Sequence, residues 1–267
     1  MELPSYETLD LEADAGWLTV WFNSPENRNA LTDARVDDIL SLCTWLQDAP
    51  LRGVLFRGRG GGFCAGGDLK SFKSAYTDGV GDSAQIVAMS LRGADMFDAV
   101  AGLPQYTVMA VEGAAMAGGM GLACCGDFVI ATDDAMFGLS EVRIGLTPAQ
   151  IAPFVIRRMG LQVGRQLMLT GARFRGEEAK ACGMVDEWVP DAEFLEQAIA
   201  TQQRMIEGVA PGALAAIKAQ IAQMPFQTRT EQRQTAAESF TARMLSDEAR
   251  EGIGAFFEKR KPNWDRE

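Results

Sequence analysis

Two short apolar runs that each feed directly into a glycine-rich segment constrain the fold of this chain more than any other feature. Gly53-Val54-Leu55-Phe56-Arg57 leads into the stretch Gly58 to Asp68, and Thr107 to Val111 leads through Gly113 into Ala117-Gly118-Gly119-Met120-Gly121. Runs of this kind, bounded by glycine, read as buried strands. Glycine after a strand supplies a tight turn or lets backbone approach a ligand closely. Helical patterns lie between them: Val36, Ile39, Leu40, Cys43 and Leu46 recur at helical spacing after Thr32, a candidate N-cap, and a second helix is predicted over Ser83 to Gly102. Trp17 to Phe22 reads as the second strand of a hairpin begun near Tyr6, with its turn at Ala13 to Gly16. Farther on, a short helix is predicted at Leu122 to Cys125, a strand at Phe128 to Ala131, and an extended piece at Met136 to Leu139 that ends at Glu141. From Pro148 the spacing is mainly helical, with one short strand near Val185 to Val189. Alternating strands, glycine loops and helices give an α/β class with a helical C-terminal part.

Composition narrows the function. Lys and Arg number 25 against 36 Asp and Glu, a net charge of −11, which disfavours a surface built to hold nucleic acid. A small anionic ligand stays open, because a few local cations and backbone amides suffice for it. The chain has no histidine, so Ser-His and Cys-His nucleophilic machinery and most transition-metal sites fall away. Acid and base work is left to Asp, Glu, Lys, Tyr or Cys. The five cysteines are odd in number and form no C-x-x-C pair, so neither a disulfide framework nor a zinc site is expected and reduced, mostly buried thiols are. Six acidic residues precede the first basic one, Arg28, and no apolar run of signal-peptide or membrane-spanning length occurs. A cytoplasmic location with no membrane partner is the expectation.

Several ligands could use the glycine loops. Gly60-Gly61-Gly62-Phe63-Cys64-Ala65 fits the dinucleotide pattern G-x-G-x-x-A, a weak signal when alone. No G-K-[ST] follows either loop, which removes a phosphate-binding P-loop. A pair of tight turns without any ligand is the plainest alternative.

More specific are segments taken together and in order. Phe63-Cys64-Ala65-Gly66-Gly67-Asp68-Leu69 and Glu112-Gly113-Ala114-Ala115-Met116-Ala117-Gly118-Gly119 resemble the two glycine segments of the enoyl-CoA hydratase/isomerase, or crotonase, family. Pro25-Glu26-Asn27-Arg28-Asn29-Ala30-Leu31 is similar to its early loop, Phe137 to Leu146 to its acidic turn, and Gly254 to Pro262 to its tail. The resemblance implies a crotonase-like spiral of ββα units over residues 1–195, with residues 196–267 as a helical C-terminal region of the same domain that makes oligomer contacts. It further implies an acyl-CoA thioester as substrate, no cofactor beyond the coenzyme A that the substrate carries, and a homotrimer or dimer of trimers. The backbone amides of Gly67 and Gly118 would hold the thioester oxyanion, which suits the chemistry because an enolate needs paired donors. Ala65, Asp68 and Leu69 would line the coenzyme A path, and Arg28 and Lys259 are the candidates for its phosphates. A surface role for either cation, and a loop-fixing role for the Asp68 carboxylate, are the alternatives. Arg143 lies close to Glu141 in sequence, and its side chain cannot be placed from sequence.

Hydratases of this family often carry two glutamates, and here the first of those positions is Gly121 and the second is Glu141. Glu141 is the proton-transfer candidate. Hydration across the 2,3 double bond is the main expectation. Alternatives are a Δ3,Δ2-enoyl-CoA isomerase, which needs one carboxylate, and a non-catalytic member that binds acyl-CoA, RNA or protein. Gly119 to Cys125 and Thr147 to Phe154 also resemble bacterial methylglutaconyl-CoA and isohexenylglutaconyl-CoA hydratases of leucine and acyclic terpene breakdown. That narrower likeness implies a 3-branched glutaconyl-CoA, with Gly121 leaving room and removing a negative charge beside the reacting carbons.

Overall fold

The computed structural model describes residues 2–70, 72–73 and 82–265. It opens with the hairpin of β1 (Leu9–Asp14) and β2 (Trp17–Phe22), in which Asp14 faces Trp17. The turn is Ala15-Gly16 alone, both at positive φ (47° and 84°), the two-residue geometry that matches strand twist, and Ala13 and Asp14, expected in the turn, instead pair with Leu18 and Trp17. Helix α1 (Asp33–Leu46) starts where the sequence placed it, and the Thr32 hydroxyl accepts the Arg35 N–H at 3.3 Å.

Strands β3 (Gly53–Gly58) and β4 (Tyr106–Val111) are the two apolar runs. After β5 (Ala114–Met116) come β6 (Phe128–Thr132), β7 (Met136–Gly138), β8 (Arg173–Arg175) and β9 (Glu187–Val189). The main sheet has the order β1-β2-β3-β4-β6-β9 and is parallel beyond its first hairpin. Successive residues bury on opposite faces. Val54, Phe56, Met109, Val111 and Val129 pack with Ile39 and Leu42 of α1 and with Met96 and Val100 of α2 (Ser83–Ala101). Leu55, Val108, Ala110 and Ile130 pack on the other face, and two covered faces explain why these strands are apolar throughout rather than alternating.

A smaller sheet, β5-β7-β8, stands apart from the first. Helix α3 (Gly118–Ala123) begins four residues before the expected Leu122, and α4 (Ala152–Thr170) kinks at Gly160 (φ 79°). Two further helices are α5 (Gly176–Ala181) and α6 (Ala192–Glu207), and Leu195, Ala198 and Ile199 of α6 cover the second face of the main sheet. The chain ends in α7 (Pro211–Gln223), α8 (Arg229–Met244) and α9 (Asp247–Glu258), where Ala255 is the one buried residue among those described. Large apolar side chains there face outward, with Phe226 82%, Phe256 and Phe257 78% and Leu245 76% exposed. Arg52 joins this end to the sheet: Nη1 donates to the carbonyls of Glu207 (2.9 Å) and Ile206 (3.4 Å), and Nη2 to that of Trp264. Among the described residues no helix is long and apolar enough to cross a membrane.

Candidate active site

The segments that leave β3 and β4 lie side by side. Phe63 N–H donates to Glu112 O and Cys64 N–H to Ala114 O, both at 2.9 Å, and Met116 N–H returns to Cys64 O at 3.0 Å. A third strip joins them, with Leu31 N–H on Gly66 O at 2.8 Å and Ala65 N–H on Arg28 O at 3.0 Å. Asn29, fully buried at φ 55°, ties this third strip to the segment leaving β3: its Nδ2 donates to Arg59 O (2.9 Å) and Gly62 O (2.8 Å), and its Oδ1 accepts the Ser24 N–H (2.9 Å).

Glycine is required where the strips touch. A Cβ on Gly119 would lie 2.2 Å from Cys64 O, and one on Gly66 (φ 92°) 2.7 Å from Met116 O. Close approach brings Gly67 and Gly118 together, since a Cβ on Gly118 would sit 3.7 Å from the Gly67 nitrogen. Among the described residues neither amide N–H has a backbone acceptor. Gly118 opens α3, whose first N–H groups have no partner within the helix and favour a negative ligand. Just before it, Ala117 holds φ 51° and ψ −123°, a conformation that costs a non-glycine residue about 1–3 kcal/mol. Ala117 N–H on Gly138 O (2.8 Å) and Gly121 N–H on Ala117 O (3.0 Å) keep it there and so fix the direction of the Gly118 N–H.

Glu141 reaches the same edge by a parallel route. β5 and β7 run side by side in the same direction, Gly118 follows β5 by two residues, and Glu141 follows β7 by three. The 3-10 turn Ser140–Ile144 carries the glutamate and closes at Gly145 (φ 79°), with Leu146 N–H on Glu141 O at 2.9 Å. Arg143 turns away from Glu141 and donates from Nε to Gly171 O at 2.9 Å, tying the turn to the end of α4. The Glu141 Oε2 is buried with no hydrogen-bond partner among the described residues. Burial therefore raises its carboxyl above the ordinary glutamate range. The thiols offer no competing acid or base: burial pushes Cys64 up to about 11 and Cys43 to about 12.

Other expected residues fall into two groups. Arg28, Ala65, Asp68 and Leu69 all border the zipped loops, with Arg28 and Leu69 exposed. Asp68 fixes local backbone, its Oδ1 accepting the Lys70 N–H (3.0 Å) and its carbonyl the Phe72 N–H (3.1 Å). Lys259 lies elsewhere, at the C-cap of α9 with φ 54°, and among the described residues no hydrogen bond or ion pair joins it to the loops. Gly121 requires a correction. The room expected there is not empty, because a Cβ would lie 2.2 Å from Ile151 Cγ2 and 2.6 Å from Ile151 Cβ. Sequence reasoning also missed Asn29 and Ala117 as shaping residues; only Asn29 offered a signal, as a residue that tolerates positive φ within a loop.

The sequence model described as enoyl-CoA hydratase/isomerase matches residues 12–267. The chain belongs to that family. A solved Pseudomonas aeruginosa structure titled AtuE is 38% identical, covers 97% of this chain and 100% of its own, and superimposes with a TM-score of 0.92. A Marinobacter aquaeolei structure described as an enoyl-CoA hydratase/isomerase is 34% identical over 97% of this chain and 99% of its own, with a TM-score of 0.91. The Mycobacterium tuberculosis enoyl-CoA hydratase EchA19 is 31% identical over 92% of either chain. The crotonase-like fold expected of the enoyl-CoA hydratase/isomerase family is thus the fold observed.

Proposed function

We propose that this chain adds water across the 2,3 double bond of an acyl-CoA thioester. The observation that carries the reading is the placement, at one sheet edge, of two amides and a buried carboxylate oxygen that have no partner among the described residues. In this reading the N–H groups of Gly67 and Gly118 hold the thioester oxygen and stabilise the negative charge it gains. Glu141 takes a proton from water while the water oxygen bonds to C3 and the π electrons move onto the thioester as an enolate. The enolate then re-forms the carbonyl, and C2 takes the proton from Glu141, so the carboxylate is regenerated and only water is consumed. Both new bonds form from the side of one carboxylate, which is a syn addition. Arg28, at the rim of the loops, serves the coenzyme A phosphates, and Ala65, Asp68 and Leu69 border its path.

The substrate class we propose is a 3-branched glutaconyl-CoA. Support comes from the likeness at residues 119–125 and 147–154, and from the absence of a carboxylate at residue 121, which spares a dicarboxylic acyl group one like-charge repulsion. That support is electrostatic, since Ile151 occupies the volume. One specific observation favours a second reading: with a single carboxylate and an isoleucine in place of the other, the site also suits a shift of the double bond without water. The outward phenylalanines of the C-terminal helices support assembly as a homotrimer or dimer of trimers.

Incubation with straight, 3-branched and ω-carboxylated enoyl-CoAs, with hydrated and isomerised products separated, tests the reading. Hydration with preference for the branched dicarboxylic substrate is expected. Faster hydration of crotonyl-CoA removes the substrate proposal, double-bond shift alone favours the isomerase, and no turnover on any of them removes catalysis.

A further inference from the structure

We propose that Ile151 is the specificity-determining residue of this site, setting how much bulk beside acyl C3 can be held; the inference rests on the acyl-CoA reading above. Its side chain stands where a side chain at residue 121 would begin. A Cβ built on Gly121 would lie 2.2 Å from Ile151 Cγ2, 2.6 Å from its Cβ and 3.4 Å from its Cδ1. Position 121 is one helical turn past Gly118 on α3, so Ile151 stands about 5 Å along the helix from the proposed oxyanion donor. Neither partner can retreat cheaply. Gly121 is pinned by its N–H on Ala117 O (3.0 Å) and by its carbonyl, which accepts the Cys125 thiol (3.3 Å). Ile151 is 4% exposed, its carbonyl accepts the Val155 N–H (3.0 Å) at the start of α4, and the neighbouring Gln150 Nε2 donates to Ser90 Oγ on α2 (2.9 Å).

The glycine and the isoleucine therefore act as one unit. Together they form an uncharged apolar wall, packed at the Cγ2 and Cβ of a branched side chain rather than at a flexible tip. A side chain added at 121 must displace the branched Cβ of Ile151, whereas shortening residue 151 opens apolar space beside the amides. One methylene in an apolar pocket discriminates between ligands by roughly 10–200-fold, so this wall is large enough to decide which substituents enter.

The test is binding selectivity, measured without turnover. Titration calorimetry with butanoyl-CoA and 3-methylbutanoyl-CoA gives the ratio of their affinities for the wild type, Ile151→Ala and the milder Ile151→Val. The ratio should move toward the branched ligand by about tenfold in Ile151→Ala and in the same direction, by less, in Ile151→Val. Thermal melts give a second readout: Gly121→Ala should lower Tm in the wild-type background and have little further effect when combined with Ile151→Ala. A ratio unchanged within about 1.5-fold in a folded Ile151 variant, or equal and additive Tm losses in the double variant, overturns the proposal. If the wild type binds neither ligand, the acyl-CoA reading itself is lost; if it binds butanoyl-CoA and the ratio stays fixed, only the role of Ile151 is.

Discussion

The edge that carries Gly118 and Glu141 and the helices that end the chain leave opposite kinds of group unsatisfied. At the edge two amides and a carboxylate oxygen lack partners among the described residues. Along α7–α9 the polar groups are matched instead: Thr228 and Glu231 form a reciprocal capping box, Glu248 accepts the N–H groups of Gly212 (2.9 Å) and Ala213 (3.0 Å), and Arg260 grips Glu251 with two nitrogens. There the apolar side chains are left over. Unpaired polar atoms call for a ligand that carries charge or becomes charged, and uncovered phenylalanines call for another apolar surface. In the proposed reading one region serves chemistry and the other association.

Variants that touch one region and spare the other sharpen this contrast. The largest effect is expected from Glu141→Gln, which should lower kcat by about 10²–10⁴-fold while a saturated acyl-CoA still binds and the mass by light scattering is unchanged. Turnover near that of the wild type would take Glu141 out of the chemistry. Next is Gly118→Pro, which removes one amide donor and should lower kcat by about 10²–10³-fold. Proline suits the first position of a helix, so far-UV circular dichroism should separate lost donation from lost structure.

The reverse experiment addresses the helices. Phe256→Asp combined with Phe257→Asp should reduce an assembled mass that is a multiple of three subunits toward that of one chain, with the near-UV spectrum of the core kept. A wild type that is monomeric at micromolar concentration would break the comparison at this end.

The smallest effect concerns stability. Burial raises the Glu141 carboxyl above its unfolded value, so the folded state holds that proton more tightly than the unfolded chain does. Its favourable contribution is complete below the unfolded glutamate pKa of about 4.3 and is lost as pH rises through the folded value. Glu141→Gln should therefore melt slightly higher than the wild type at neutral pH, and the gap should close on acidification. For the same reason the acidic limb of the activity profile should lie above the ordinary glutamate range. A lower melting temperature for the variant at pH 7 would mean that Glu141 is paired after all.

What could be read in advance depended on whether a residue's partner was near in sequence. Thr32 and the α1 stripe were legible because cap and periodicity are local, and so were β3 and β4, whose apolar runs end at glycine. Helix α3 was misplaced because Gly118 and Gly119 are poor helix formers and enter the helix through contact with the Cys64 strip. β5 and β8, three residues each, form by pairing with β7 and, for β5, with the Cys64 strip as well. Arg143 stood beside Glu141 in sequence yet reaches Gly171, and Ile151 is thirty positions from the glycine it replaces in space. Each of these misses is a contact between segments, which no local pattern encodes.

Arg52 gives the outward-facing helices one more property. By gripping the end of α6 at Ile206 and Glu207 and the tail at Trp264, it anchors both flanks of the three-helix segment to the same strand entrance. The apolar surface of α7–α9 is then presented by a segment whose ends are already fixed, so association would have little chain entropy left to remove. In the proposed assembly subunits built this way would meet as rigid bodies, and exchange of their C-terminal segments between copies would first require that clasp to open.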